Sequence, residues 1–216
     1  MAVFKQGILG GFVGKVGTVV GYVWKGRNVM RSLAQHPRNP CTELQLAQRM
    51  RFTLVSRLVA ACRGAINVGF ANSAKDISAG NAAISANLDN GSIVGEGIDL
   101  HFQFDKIVLS AGSHILPDAV SAAPVADSHS IRVSWSDNSG VSPEVLTADR
   151  VVVCLYNPSC MASAYDTATA TRGDEGLTIT YPTLWVGDQA HLYLFATSPD
   201  GLLVTPTLYI APFTLD

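Results

Sequence analysis

The chain has 216 residues and a formal net charge of −2 at pH 7; 48% of its residues are hydrophobic and 15% are charged. An average soluble domain carries about 25% charged residues, so this chain has little charge with which to cover a surface. The composition excludes an intrinsically disordered protein, because disordered chains are rich in charge and poor in apolar residues. Four cysteines in this length also exclude a disulfide-dense miniprotein.

The first predicted element is a glycine-rich ribbon near the N-terminus. Residues 16–24 predict one extended strand, in which Val16 and Val20 share a bulky side and Gly21 interrupts the other side. The Lys-Gly-Arg-Asn sequence that follows predicts a turn, and residues 28–33 predict a second strand. Glycine inside a strand often marks the close approach of another backbone. We therefore expect this hairpin to lie against a neighbour.

Two helices are predicted after the hairpin. Thr42 and Gln45 form a capping-box pattern, and apolar residues at helical spacing predict a helix over residues 43–63. Gly64 is expected to end this helix. A second, weaker pattern predicts a helix over roughly residues 76–88.

From residue 98 onward the sequence is typical of an all-β fold, with short apolar runs separated by turn signals. The predicted strands are 98–104, 107–110, 130–135, 151–156, 167–171, 177–180, 191–197 and 203–210. Many short strands at this spacing predict an antiparallel sandwich. We therefore predict an α+β protein with two domains, a hairpin and helical module over residues 1–104 and a β-sandwich over residues 105–216.

Two aromatic residues resemble conserved features of known sandwich domains. Trp135 closes the predicted strand 130–135, where fibronectin type III and immunoglobulin-like domains keep a core tryptophan. Tyr193 resembles the tyrosine near the start of their penultimate strand. Residues 105–216 therefore look like an immunoglobulin-like or fibronectin type III-like sandwich.

The N-terminal third is similar to a bacterial family of unknown function. The residues that carry this similarity are Gly14-Lys15-Val16-Gly17, Trp24-Lys25-Gly26, Met30-Arg31-Ser32, Asn39-Pro40, Thr42, Gln45 and Arg49 to Phe52. That family pairs such an opening with a C-terminal β-sandwich, so the resemblance covers nearly the whole chain. It implies an architecture and no catalytic residues.

Charge is distributed very unevenly along the chain. Residues 1–65 contain ten Lys or Arg and one acidic residue, for a net charge of +9, whereas residues 66–216 contain five basic and sixteen acidic residues, for a net charge of −11. Two accounts of this asymmetry compete. The basic region of one copy meets the acidic sandwich of a neighbour or of its own chain, or the basic region binds nucleic acid through salt-sensitive phosphate contacts.

Low charge and a mean hydropathy of +0.24 favour self-association, because they indicate that other protein covers much of the surface. We predict a non-enzymatic structural protein that forms a homo-oligomer, as part of a particle, fibre or virion, with other structural proteins as further partners. The predicted interface residues are Gly17, Val19, Gly21, Trp24, Arg31 and Arg49, with Asp149 and Asp188 as acidic counterparts.

Two alternatives stay open. One is a nucleic-acid-binding module that uses Lys15, Lys25, Arg27, Arg31, Arg49, Arg57 and Arg63. The other is an adaptor that binds a different protein through the sandwich loops.

No sequence pattern identifies a reaction. The sequence predicts no catalytic, cofactor-binding or metal-binding residues, and no membrane-spanning segment or signal peptide, so we expect synthesis in the cytoplasm. The sequence 172–174 is Arg-Gly-Asp, which can act as an adhesion ligand in an exposed loop. A disulfide between Cys154 and Cys160 stays an alternative to reduced thiols.

Overall fold

The computed structural model describes residues 3–4, 10–33, 42–72, 77–95, 99–126 and 128–216. These residues form mostly antiparallel sheets together with three α-helices, an α+β fold. The chain divides into two compact units, Met1–Cys41 and Thr42–Asp216.

The first unit is an antiparallel sheet with the strands in chain order. They are β1 (Val3–Phe4), β2 (Phe12–Val16), β3 (Val19–Trp24) and β4 (Arg27–Ser32). Lys25 and Gly26 form the tight β3–β4 turn with φ of 47° and 76°, as a two-residue turn between twisted strands requires. The predicted turn and second strand are confirmed.

The prediction of one strand over residues 16–24 is wrong, because a second tight turn interrupts it. Gly17 has a φ of +57°, and Val16 pairs with Val19 across the turn. The turn reverses the chain, so Val16 lies on the same face as Val19 and not on the face of Val20. The predicted hairpin is therefore part of a four-stranded sheet.

Three helices begin the second unit, and they are α1 (Glu43–Ala61), α2 (Arg63–Gly69) and α3 (Ala79–Asp89). The Thr42 hydroxyl accepts a hydrogen bond from the Gln45 amide at 3.4 Å, which confirms the predicted start of α1. Val55, Leu58 and Val59 are buried, whereas Leu44 near the start is 85% exposed. The second half of α1 is therefore the part of this helix that packs into the core.

The prediction that Gly64 ends the first helix is wrong. Gly64 lies inside α2, where a Cβ atom would fall 2.2 Å from the ring of Tyr165. The glycine therefore permits a close approach of helix and sheet and does not act as a helix stop. The predicted second helix exists as α3, which begins after the N-cap Ser78, and Asp76 lies outside the described residues.

The rest of the second unit is built from two larger sheets and one short ribbon. The remaining strands are β5 (Ile93–Val94), β6 (His101–Phe102), β7 (Asp118–Pro124), β8 (Ser130–Ser136), β9 (Arg150–Asn157), β10 (Ala162–Thr171), β11 (Gly176–Thr180), β12 (Gln189–Thr197) and β13 (Leu208–Thr214). One sheet has the order β10-β9-β12-β13, the other has the order β11-β8-β7, and β5 pairs with β6.

In the sheet β10-β9-β12-β13, the central strands β9 and β12 are buried on both faces. On β9, Val151, Val153 and Leu155 belong to a core that β8 and β11 share. The alternate residues Val152, Cys154 and Tyr156 belong to a second core that the helices share. The second unit therefore has three layers, with helices on one side of the central sheet and the three-stranded sheet on the other.

These layers explain why the compact units differ from the predicted domains 1–104 and 105–216. Residues of α1, α2 and α3 share one core with β9 and β12, so the helices group with the sheets. The first unit ends at Cys41, just before α1 begins.

Most predicted strands of the second half are present, with four differences. Residues 107–110 form no strand, and the strand predicted over 203–210 is an isolated bridge at Val204 followed by β13. The sequence analysis also missed β7, which lies at the edge of its sheet. Of the strand predicted over 98–104, only β6 is seen, and residue 98 lies outside the described residues.

We expect Gly69→Ala to lower the free energy of unfolding by about 1–3 kcal/mol, because overpacking forces the backbone apart. A Cβ atom at Gly69 would lie 2.2 Å from the carbonyl oxygen of Leu109. Gly80→Ala in α3 is the matched control, since the nearest atom there would be 3.7 Å away. The control should be neutral or raise stability by about 0.5 kcal/mol. Urea unfolding of both variants tests this, and equal effects would contradict the packing described above.

Candidate functional site

The N-terminal sheet has two chemically different faces, which the strand register defines. Residues paired across neighbouring strands point to the same side of a sheet. One side, the uncharged face, carries Phe12, Gly14, Val16, Val19, Gly21, Val23, Asn28, Met30 and Ser32. The other side, the basic face, carries Val13, Lys15, Val20, Tyr22, Trp24, Arg27, Val29 and Arg31.

The uncharged face is apolar; Phe12 of the same chain covers its centre at Gly21, and the side chains around that centre are exposed. Met30 is 68% exposed, Val23 is 52% exposed and Val16 is 45% exposed. Among residues 10–33, Gly21 alone is buried, and the side chain of Phe12 lies over it. Residues 10–33 therefore contain almost no core of their own.

The basic face combines cations with aromatic rings. Tyr22 is 39% exposed and Trp24 is 48% exposed. The Lys25 ammonium lies 5.3 Å from the centre of the Trp24 ring, within the range of a cation–π contact. Lys15, Arg27 and Arg31 are exposed on the same face. This surface can bind a partner that carries negative charge.

The predicted interface residues lie in different places. Val19 and Gly21 lie on the uncharged face, Trp24 and Arg31 lie on the basic face, and Gly17 lies in the β2–β3 turn. The first unit thus offers two separate surfaces instead of one contact.

The remaining predicted cations belong to the second unit. Arg49 and Arg57 are exposed on α1, and Arg63 is exposed at the start of α2. Because the helix breaks at Cys62, these three arginines do not share one continuous helix.

Asp149 does not fit its predicted role as an acidic counterpart on the surface, because it is fully buried. Its carboxylate lies 3.1 Å from an Arg172 guanidinium nitrogen and 3.0 Å from His114 Nε2. Arg172 is also fully buried, and it donates further hydrogen bonds to Asn138 Oδ1 and to the Ile115 carbonyl oxygen. Asp149 therefore balances an internal positive charge.

The same network contradicts adhesion through the Arg-Gly-Asp sequence. The arginine of that sequence is the buried Arg172, so its guanidinium is not available to a receptor. Asp188, the other predicted counterpart, is half-buried and accepts a hydrogen bond from the Asn157 side-chain amide at 2.8 Å.

Exposed acidic residues lie elsewhere in the second unit. Glu175 and Asp174 follow Arg172, and a Glu175 carboxylate oxygen lies 3.5 Å from the backbone nitrogen of Asp137. Glu144 and Asp200 line one shallow surface depression. Hydrogen bonds from the Thr171 and Ser198 side chains lower the pKa of Asp174 and of Asp200 respectively. We call the exposed Glu144, Asp174, Glu175 and Asp200 the acidic loops.

The described residues show no arrangement that identifies a reaction. They contain no group of three or more His, Cys, Asp or Glu side chains placed to hold a metal ion. Within the same residues, none of the helices has the length and hydropathy of a membrane-spanning segment.

Cys154 and Cys160 are free thiols, so the alternative of a disulfide between them is not what the structure shows. Cys154 lies in the core beside Cys62, whereas Cys160 is exposed. A hydrogen bond with Cys62 and burial raise the pKa of Cys154. A buried thiol with a raised pKa is a poor nucleophile, because the thiolate is the reactive form.

Sequence reasoning missed the separation of the two faces. It assigned Val16 and Val20 to one side because it did not place a turn at Gly17. Gly17 followed by Thr18, between Val16 and Val19, was the available signal, since two-residue turns favour residues that tolerate positive φ.

The fold and these surfaces define an α+β protein with an exposed, two-faced N-terminal sheet. A family model described as a family of unknown function (DUF6266) matches residues 11–211, so the chain belongs to this family. This agrees with the resemblance to a family of unknown function over nearly the whole chain. The comparison with curated proteins gives no match.

We expect Asp149→Asn to lower the free energy of unfolding by about 3 kcal/mol, because it leaves the buried Arg172 without its counter-charge. Asp188→Asn is the matched control; it keeps an acceptor for Asn157, so its cost should stay below about 1 kcal/mol. Urea unfolding measures both. A loss at position 149 no larger than at position 188 would contradict the internal role of Asp149.

Proposed function

We propose that this protein is a non-enzymatic structural component that associates with copies of itself through its N-terminal sheet. The observation that carries the proposal is the exposure of both faces of that sheet over residues 10–33. A sheet is stable in water when at least one face packs on another layer. A second chain is the layer that this proposal supplies.

The energetic case rests on the apolar side chains of the uncharged face. Burial of an exposed Val or Met side chain stabilises a contact by about 1.5–3 kcal/mol when it is complete. Val16, Val23 and Met30 are each 45% exposed or more, so each has a large part of this free energy still to gain.

Charge supports a second contact through the basic face. Lys15, Arg27 and Arg31 are exposed there, and the acidic loops of the second unit offer carboxylates of opposite sign. Exposed ion pairs contribute only about 0–1 kcal/mol each, so these charges orient the contact more than they hold it. The acidic loops take the place of Asp149 as the proposed counterpart.

The size of the sheet favours more than one kind of contact. With strands about 4.8 Å apart and a rise of about 3.3 Å per residue, β2–β4 present about 300 Å² on each face. A standard stable interface buries about 800 Å² per partner. One face alone is too small for a tight dimer, so we infer that both faces take part in a larger assembly, such as a particle, fibre or virion component.

We also propose that the sheets of the second unit form an immunoglobulin-like or fibronectin type III-like sandwich. Three observations support this. Seven strands divide into antiparallel sheets of three and four, Trp135 is buried between these sheets, and β8 and β9 belong to different sheets, as strands of sandwich folds often do. The Tyr193 hydroxyl donates to the Phe104 carbonyl oxygen at 2.9 Å, which fixes β12 to the chain before the first sandwich strand.

We expect Met30→Glu to weaken self-association at least about tenfold, because a buried unpaired carboxylate costs several kcal/mol. Leu184→Glu is the matched control, because it also replaces an exposed apolar residue by glutamate, but in the second unit, where Leu184 is 92% exposed. Light scattering of the full chain and of both variants measures the particle size. An equal loss of association in both variants, or in neither, would contradict a role for the N-terminal sheet.

Nucleic-acid binding is the second candidate function, and the basic face favours it. Aromatic rings next to Lys and Arg form the stacking and phosphate-binding surface that single-stranded nucleic acids use. Tyr22 and Trp24 lie on the same face as Arg27 and Arg31.

For this candidate we expect the double substitution Arg27→Ala and Arg31→Ala to weaken binding of a labelled single-stranded oligonucleotide at least about tenfold, because two phosphate contacts are lost. The slope of log affinity against log salt should also fall by about 0.7 for each contact. Arg132→Ala on β8 is the control, since Arg132 is exposed in the second unit. Absence of binding at low salt would eliminate this candidate.

A further inference from the structure

We propose that Cys62 and Cys154 form a redox site in the second unit, at which a low-molecular-weight disulfide converts the two thiols into one internal disulfide bond. The inference is independent of the proposed function, because it concerns the core of the second unit and not the N-terminal sheet. Both cysteines are free thiols in the structure, which therefore shows the reduced state of this site.

The two thiols belong to different layers of the second unit. Cys62 lies at the junction of two helices, as the C-cap of α1 and the N-cap of α2. Cys154 lies on β9 and belongs to the core that the helices share. Both residues are fully buried there, and the Cys154 thiol is hydrogen-bonded to Cys62. A disulfide at this contact ties the helix layer covalently to the central sheet.

A serine on the neighbouring strand fixes the helix junction over Cys154. The Ser163 hydroxyl on β10 donates a hydrogen bond to the Ala61 carbonyl oxygen at 2.8 Å. The Ser163 side chain is also hydrogen-bonded to the Cys154 thiol. Because Ala61 directly precedes Cys62 in the chain, this contact holds the backbone of Cys62 next to Cys154.

A glycine on the other side of Cys62 brings the helix close to the sheet. The ring of Tyr165 occupies the space where a side chain at Gly64 would lie. Tyr165 pairs with Cys154 in the strand register, so both side chains point to the helix layer. A disulfide requires two Cα atoms about 4.4–6.8 Å apart. The close approach at Gly64 favours such a distance between Cys62 and Cys154.

The structure favours Cys62 over Cys160 as the partner of Cys154. Cys160 is exposed and lies in the connection between β9 and β10. Cys154 is fully buried, and its hydrogen-bonded neighbour is Cys62. The pairing is therefore one that spacing in the sequence does not suggest.

The reaction is thiol–disulfide exchange with a small disulfide such as oxidised glutathione. The thiolate of one cysteine attacks a sulfur of the small disulfide, and one small thiol leaves. The thiolate of the other cysteine then attacks the protein sulfur of this mixed disulfide, and a second small thiol leaves. The protein loses two protons and two electrons, and the small disulfide gains them. Because both cysteines are buried, the exchange requires local opening of the helix layer.

The new bond is expected to stabilise the second unit. It closes a loop of about 90 residues, and a cross-link over such a length strongly restricts the unfolded chain. We expect the ratio of unfolded to folded chain to fall at least about a hundredfold on oxidation.

The pairing is tested on the full chain with Cys41→Ser, in which Cys62, Cys154 and Cys160 compete. The protein is incubated with oxidised and reduced glutathione at a urea concentration just below the unfolding transition, so that local opening admits the reagent. Remaining thiols are blocked with a maleimide, and the unreduced peptides are measured by mass spectrometry. We expect the peptide that links Cys62 to Cys154 to be at least about tenfold more abundant than the peptide that links Cys154 to Cys160, because the fold keeps the first pair in contact.

The same protein in fully denaturing urea is the matched control. Without the fold, loop length decides the pairing, and a short loop closes more readily than a long one. The peptide that links Cys154 to Cys160 should then be the more abundant one. This reversal shows that both pairings are detected and that the folded structure selects the partner.

Two results would overturn the inference. One is a folded chain that links Cys154 to Cys160 as often as to Cys62. The other is a folded chain that keeps both buried thiols reduced, in which case they act only as small apolar side chains.

Urea unfolding gives a separate measurement on the variant with Cys41→Ser and Cys160→Ser, in which Cys62 and Cys154 are the remaining cysteines. The oxidised form should unfold at a higher urea concentration than the reduced form, and dithiothreitol should reverse the difference. An oxidised form that is no more stable than the reduced form would contradict a disulfide that fits the native core. None of these outcomes depends on self-association, so the proposed function stands or falls separately.

Discussion

A β-sheet in water needs a layer against at least one face, and this requirement governs the N-terminal unit. Residues 10–33 form three complete strands with good turn chemistry, yet they bury only Gly21. Backbone hydrogen bonds alone contribute about 0.5–1.5 kcal/mol each, whereas ordering each residue costs about 1–2 kcal/mol. The apolar side chains of the uncharged face must therefore find a partner surface, and the proposed second copy meets this need.

The second unit contains a sheet whose two faces are both covered by other layers of the same unit. Its central strands β9 and β12 have helices on one face and a second sheet on the other, and nearly all of their residues are buried. The internal charge of Arg172 is matched there by Asp149 at 3.1 Å. This unit holds its own core, although it also leaves large apolar side chains exposed, such as Leu44, Val141 and Leu184, whereas those of the first unit lie on or beside one small sheet.

The sequence predicted the positions of helices, strands and turns better than it predicted which faces of the sheets are covered. The start of α1 and the turn at Lys25 follow from local side-chain and backbone chemistry, which a sequence displays directly. The layer of helices on the central sheet was not predicted, although the runs Val151–Tyr156 and Leu192–Ala196 are apolar without alternation. Such runs are typical of strands that are covered on both faces.

The errors at the candidate site have a common physical cause. Asp149 was chosen as a surface charge because acidic residues are mostly exposed, and its partners Arg172 and His114 lie 23 and 35 positions away. Long-range pairing of this kind leaves no local pattern. The turn at Gly17 was missed in a similar way, because a single glycine within a strand-like run has more than one structural meaning.

The most direct measurement of the central claim is the solution mass of the full chain as a function of protein concentration in high salt. At about 1 M salt the Debye length is about 3 Å, so exposed ion pairs are screened while apolar contacts persist. The account predicts a mass that rises above the 22.9 kDa of one chain as the concentration increases. A mass that stays at 22.9 kDa over the whole range of concentration would contradict it.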